Sequence, residues 1–234
     1  MVTQRNRRSR AVVLLSGGMD SATCLALASR GVGPVHALTV VYGQRHAREI
    51  RSARALARRY RVRTHVVLRL PLGRLVHSSL TDVRRPLPSG RSRAGRIPST
   101  YVPARNTILL ALALGYAETH RLDTIVIGAN AIDYSGYPDC RPEFLRAFER
   151  LARVATKSGV EGKTRLRVRA PLLSKSKAEI VRWGERLGVP WSLTWSCYAG
   201  GRRPCGTCDS CRLRAQGFAE AGVDDPLVRT RATA

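Results

Sequence analysis

Five short runs rich in β-branched residues alternate with helix-compatible stretches along this chain. The runs are Ala11 to Leu15, Val35 to Val41, Val62 to Leu68, Thr124 to Gly128 and Leu166 to Ala170; the helical stretches lie near 20–30, 46–59, 105–119, 142–157 and 176–187. This βαβ rhythm predicts an α/β fold with a doubly wound parallel sheet and a ligand crevice at the carboxyl ends of its strands. At 234 residues and 44% hydrophobic content, the chain can build one such domain plus a small appendage.

Directly after the first run, residues 16 to 21 read Ser-Gly-Gly-Met-Asp-Ser. Two glycines let a backbone approach a ligand closely, and hydroxyls with free amide N–H groups at a helix start favour phosphate oxygens. Asp20 would repel a phosphate unless it caps the helix or holds a metal ion against it. The hexapeptide therefore reads as a pyrophosphate cradle.

Charge narrows the partners less than its size suggests. Forty-one basic against 16 acidic residues give +25, carried by arginine except at Lys157, Lys163, Lys175 and Lys177. The balance favours an anionic partner, but the arginines are scattered and also fit a solvated surface. Residues 1–10 read as a basic disordered tail, 82–104 as a long arginine-rich loop inserted in the 11–190 domain, and residues beyond 222 as a loose end. The apolar run behind Arg5 to Arg10 is too short for a signal peptide, and no stretch reaches the length of a membrane span, so a cytoplasmic protein is expected.

Cys197, Cys205, Cys208 and Cys211 follow a C-x7-C-x2-C-x2-C spacing, with Gly200, Gly201 and Gly206 between them for tight reversals. Four thiolates fit tetrahedral zinc and fill every coordination position, so the ion is expected to be structural. Free thiols and two disulfides are the alternatives, and both sit poorly with this spacing in a reducing compartment. Residues 191–226 thus read as a zinc-binding region with a C-terminal helix.

The hexapeptide is neither a Walker A loop nor a G-x-G-x-x-G turn. It matches the S-G-G-x-D-S loop of the PP-loop ATP pyrophosphatases, which cleave ATP between the α and β phosphates. Within that superfamily the chain resembles the 7-cyano-7-deazaguanine synthase (QueC) family over about residues 11–226. The residues carrying this are Val41 to His46, Tyr101 to Asn106, Gly128 to Pro142, Ser176 to Ile180 and the four-cysteine tail. The amino-terminal tail and the insertion around 84–96 look individual to this chain.

The resemblance implies an adenine-nucleotide α-hydrolase-like fold. It also implies an enzyme that turns 7-carboxy-7-deazaguanine, ammonia and ATP into 7-cyano-7-deazaguanine through adenylated acid and amide. It places ATP on Leu14, Leu15, Ser16, Gly17, Gly18, Met19, Asp20, Ser21, Ala22, Thr23 and Cys24, with Asp20 near magnesium. Arg105 and Lys177 would meet the charge developing at the α-phosphate. Asp133 and Asp139 would face the substrate's amine and ring N–H, Tyr137 would stack on it, and Tyr42 would pack near adenine or substrate; turn-making or burial is the competing account for each. Cys140 has no role in an adenylate route, and Cys24 reads as a small packing residue. His36, His65, His77 and His120 read as ordinary histidines; His46, inside a family block, is set apart from them. A homodimer is expected, with no membrane and no required nucleic acid. Rival readings are a tRNA-modifying PP-loop enzyme, thiolase or lysidine-forming, and a non-catalytic zinc-ribbon binder.

Overall fold

The computed structural model describes residues 10–31, 33–43, 48–82, 84–86, 97–130 and 137–228. Its sheet has five parallel strands, β1 (Ala11–Leu14), β2 (Val35–Val41), β3 (Thr64–Arg69), β4 (Thr124–Val126) and β5 (Arg167–Arg169), in the order β3-β2-β1-β4-β5. Strand β1 is central and buried throughout, which is why it reads as an unbroken apolar run rather than an alternating one. Winding runs outward one way from β1 to β3 and the other way from β4 to β5. The gap between the carboxyl ends of β1 and β4 is therefore the switch point where such sheets hold ligands.

Helices cover both faces, as the pattern predicts. Val13 and Ala11 of β1 face one core, built with α1 (Met19–Arg30), α2 (Arg48–Arg59), α6 (Lys177–Leu187) and α7 (Asp209–Ala221). Val12 and Leu14 point the opposite way, into a core with α3 (Arg105–Thr119) and α4 (Pro142–Ala155). A single turn, α5 (Lys157–Val160), follows α4, held by the Thr156 side chain accepting from Gly159 N–H at 3.0 Å. Leu25 and Ile180 are fully buried in the first core, where truncation of either to alanine costs about 2–5 kcal/mol. Trp191 and Phe218, from the cysteine-bearing end of the chain, belong to that same core.

Some boundaries differ from the sequence expectation for identifiable reasons. β3 begins at Thr64 rather than Val62, because Arg61 takes a left-handed conformation (φ 49°) and the chain is still turning there. The end beyond 222 is docked, not loose, through residue 228. Gly222 (φ 71°) turns the chain out of α7, Val223 packs on the first core, and Asp225 forms a buried ion pair with Arg214. Sequence alone offered no sign of that pairing, since each charge looks like an ordinary surface residue until the fold buries it. Within the 82–104 loop, Ser99 is tied to the preceding segment by Ser79 N–H donating to its carbonyl at 3.0 Å. Residues 1–9 and 87–96 lie outside the described residues.

Candidate active site

A cavity of about 250 Å³ opens at the switch point, walled by the β1 loop, the end of β2, the starts of α2, α3 and α6, and Trp195. The β1 loop is shaped from its own side chains. Ser16 Oγ lies 3.0 Å from Ser21 Oγ, Gly17 N–H donates to Ser21 Oγ at 3.2 Å, and Gly18 N–H donates to Ser16 Oγ at 3.2 Å. The loop is thus preorganised, with hydroxyls and amides at the start of α1, the arrangement that receives phosphate. Gly17 has φ 94°, and a Cβ there would stand 2.3 Å from Glu49 O, so only glycine lets α2 pack this close.

Asp20 sits in the first turn of α1. Its Oδ2 accepts from Lys177 Nζ at 2.6 Å and from Asn130 Nδ2 at 3.1 Å, while its Oδ1 is buried without a hydrogen-bond partner. Lys177 arrives there through a capping box. Ser176 Oγ accepts from Glu179 N–H at 3.2 Å, Glu179 Oε2 accepts from Ser176 N–H at 2.8 Å, and Lys177, the first of the two residues between them, lines the cavity. The Ser176 backbone N–H, with Lys175, holds the Glu179 carboxyl down at about 2. An orphaned buried carboxylate oxygen costs free energy unless something binds it. A magnesium ion at Oδ1 fits that vacancy of partners and the hard-oxygen chemistry such a cation takes.

Arg105 opens α3 behind Ala104, which adopts a left-handed conformation (φ 54°, ψ 20°) that a residue with a Cβ seldom takes. The turn sends the guanidinium between two rings, 6.0 Å from the Tyr42 centroid and 5.8 Å from that of Tyr137. Burial works against its charge, but Tyr42 and Tyr137 more than offset that and raise its pKa. Tyr137 in turn stacks on Tyr101 at 5.9 Å and 23°, and its hydroxyl lies 2.9 Å from Thr100 Oγ1.

The structure brings most predicted residues together but not all. Leu14, Leu15, Ser16, Gly18, Met19, Asp20, Ser21, Tyr42, Arg105 and Lys177 line the cavity. Ala22, Thr23 and Cys24, grouped with the loop on the sequence, are fully buried in the core by the rotation of α1, and burial pushes the Cys24 thiol up. Asp139 is not on the cavity wall. Its Oδ2 accepts from Asn106 N–H at 2.8 Å, so it caps the start of α3, and the Asn106 side chain donates to Asp139 O at 3.2 Å and Cys140 Sγ at 3.0 Å. That network braces the turn carrying Arg105. Tyr137 touches Arg105 rather than the cavity, and Asp133 and His46 lie outside the described residues. Glu49, Asn130 and Trp195 were missed as site residues. Glu49 stands three residues beyond the quoted block ending at His46, and Asn130 lies inside another.

The four cysteine sulfurs lie within 4.8 Å of one another and form a group that can hold a metal ion. Cys205 and Cys211 Sγ are 3.9 Å apart, close to the ~3.8 Å edge of a tetrahedron with 2.3 Å zinc–sulfur arms. Backbone N–H groups of Ala199 and Cys205 point at Cys197 Sγ, and that of Cys208 at Cys205 Sγ, as metal-bound thiolates require. The cluster reaches the cavity through Trp195. Its N–H donates to Gly17 O at 2.9 Å, its indole donates to Cys197 O at 3.1 Å, and Arg48 lies 4.2 Å over its ring.

Comparison with known proteins identifies the lineage. A family model described as "Queuosine biosynthesis protein QueC" matches residues 10–222. The chain is 59% identical over 223 residues to the 7-cyano-7-deazaguanine synthase of Anaeromyxobacter sp. (strain Fw109-5), covering 94% of this chain and 95% of the relative. It is 53% identical over 218 residues to that of Methylococcus capsulatus, covering 92% and 96%. Among solved structures, NMN synthetase from Francisella tularensis superposes with a TM-score of 0.50 at 14% identity, over 93% of this chain and 78% of that one, a likeness of fold. With a family match of that span and identities above one half across nearly the full length, the chain belongs to the QueC family of queuosine biosynthesis proteins.

Proposed function

We infer that this protein is an ATP-dependent ligase that converts 7-carboxy-7-deazaguanine and ammonia into 7-cyano-7-deazaguanine, with AMP and pyrophosphate as co-products. The observation that carries the reading is the Asp20, Lys177 and Arg105 cluster at the mouth of a preformed phosphate loop, in a chain 59% identical to a protein bearing that name. The comparisons lend no support to the tRNA-modifying or zinc-ribbon readings.

The chemistry explains the cluster. A carboxylate is a poor electrophile because its leaving group would be oxide; adenylation makes AMP the leaving group, ammonia then yields the amide, and a second adenylation of the amide oxygen lets the nitrile form. In this reading Ser16, Gly18 and Ser21 receive the phosphates, and Lys177 and Arg105 offset the charge that builds at the α-phosphorus during in-line displacement. Asp20 would hold magnesium, which supplies positive charge to the phosphates. Tyr42 borders the cavity where a planar ring enters, while Asp139 and Tyr137 act by fixing Arg105 rather than by touching substrate. Asp133 keeps its proposed place on the substrate's donors.

The same proposal assigns the Cys197, Cys205, Cys208 and Cys211 group to one structural zinc, with residues 191–226 as the module it organises and residues 11–190 as the ATP-binding unit. No helix among the described residues is long and apolar enough to cross a membrane. A homodimer is part of the proposal and is checked by sedimentation. The activity is tested by incubating the purified protein with the acid, ammonium and Mg-ATP and following products by mass spectrometry. A nitrile with AMP and pyrophosphate is expected; no product from folded, metal-loaded protein overturns the reading.

A further inference from the structure

Building a nitrile from ammonia strips one nitrogen of its protons in succession. When ammonia attacks the adenylated acid, a C–N bond forms, the C–O bond to AMP breaks with its electron pair on the phosphate, and one N–H proton departs. When the adenylated amide collapses, that C–O bond breaks in the same sense, the two remaining N–H protons leave, and C≡N is left. No oxidant or reductant takes part. Proton removal from the nitrogen needs a base within hydrogen-bond reach.

Among the described residues, the carboxylates on the cavity wall are Asp20 and Glu49. Asp20 is committed to Lys177 and Asn130 beside the phosphate loop. Glu49 is different. It comes from the first turn of α2 and is half-buried, and its backbone lies close against the loop, where a Cβ at Gly17 would stand 2.3 Å from its carbonyl oxygen. The charged and titratable groups sharing the cavity with it are Asp20 of α1, Tyr42 after β2, Arg105 of α3, Cys140, Lys177 of α6, Tyr198, and Arg214 of α7. Of these, Arg105, Lys177 and Arg214 are cations, and Cys140 Sγ accepts from Asn106.

We propose that Glu49 is the catalytic base for the substrate nitrogen, accepting each departing proton and passing it to solvent before the next. The proposal rests on the nitrile-forming reading above. Burial pushes the Glu49 carboxyl up to about 8, against the opposing pull of Arg105. A carboxylate so raised is a stronger base than an ordinary one and is still partly ionised near neutral pH.

The test separates proton removal from adenylation. Acid-dependent exchange of labelled pyrophosphate into ATP reports adenylation alone, and conversion of supplied 7-amido-7-deazaguanine to nitrile reports proton removal without free ammonia. Glu49→Gln is expected to keep exchange within about threefold of wild type while nitrile formation falls at least about 100-fold. In wild type, nitrile formation should fall tenfold per pH unit below about 8, with exchange flat across that range. Nitrile formation within tenfold of wild type, or parallel loss of exchange in a variant that melts normally, overturns the proposal. Should the variant not fold, the wild-type profile decides: absence of the acid limb overturns it. No exchange in wild type sinks the activity itself, a separate result from failure of Glu49 alone.

Discussion

Lys177 Nζ lies 2.6 Å from Asp20 Oδ2, joining the first turn of α6 to the first turn of α1 across 157 positions of sequence. The contact sets a cation and an anion side by side on the wall of the cavity, beside the loop proposed to receive phosphate. Each side chain is only slightly exposed, at 13% for Lys177 and 21% for Asp20, so the pair is stronger than a surface ion pair and weaker than a fully dry one. Asp20→Asn is expected to keep the fold and lose turnover by at least about 100-fold. Lys177→Met should lose activity and also about 1–3 kcal/mol of stability, because Asp20 is left without its cation. Steady-state kinetics with urea unfolding check both, and retained turnover in Asp20→Asn removes the aspartate from the mechanism.

Arg214 and Asp225 make the tighter pair. Arg214 Nε and Nη2 reach Asp225 Oδ2 and Oδ1 at 2.7 and 2.8 Å, Nη1 donates to Thr194 Oγ1 at 2.7 Å, and the guanidinium packs 4.9 Å from the Phe218 ring. Both side chains are at most 5% exposed. Asp225→Ala should therefore cost about 3–5 kcal/mol by leaving a buried guanidinium uncompensated. Equilibrium denaturation measures it; a loss below about 1 kcal/mol would show that water reaches Arg214 in the folded protein.

The α6 capping box gives a pH signature. The folded-state pKa of Glu179 is depressed from 4.5 to about 2, chiefly by the Ser176 backbone N–H and then by Lys175. Its stabilising effect is thus complete above the unfolded value and disappears as pH falls from about 4.5 to 2. Glu179→Gln should melt below wild type at pH 7, with the two curves converging near pH 2. A temperature difference that does not change with pH would assign the effect to packing.

Ala104 stores backbone strain at the entry to α3. Ala104→Gly should raise stability by about 0.5–1 kcal/mol, since glycine takes the left-handed turn freely. Ala104→Val should lower stability by about 1–3 kcal/mol and slow turnover, because it tilts the helix start that aims Arg105. Thermal melts alongside kinetics distinguish the two variants.

Removal of metal by chelation, or Cys208→Ser, should lower the melting temperature and solubility, and the change should be visible in Trp195 fluorescence because that ring sits between the cysteines and Arg48. Unchanged melting of a metal-free sample excludes a structural ion.

The sheet was legible because its inner strands β1, β2 and β4, buried almost throughout, leave short apolar runs, and each of the five expected runs overlaps a strand. The Ser16 to Ser21 loop was legible as a candidate site, and all of it except Gly17 lines the cavity. Glu49, Trp195 and Arg214 were not, because their roles depend on which distant element packs beside them. Asp139 shows the same limit from the other side. A polar residue in a glycine- and proline-rich loop looks like a ligand contact, yet its carboxylate accepts from the Asn106 amide in the first turn of a helix 33 residues upstream. Nothing short of the fold distinguishes those uses.

The Gly17 carbonyl accepts from the amide of Trp195 at 2.9 Å. The loop and the group that steadies it stand 178 positions apart in sequence. A chain truncated before Thr194 would contain every described strand of the sheet and both Lys177 and Asp20, yet its loop would lack that tether. The order of that loop is therefore set by the cysteine-bearing segment as well as by the sheet.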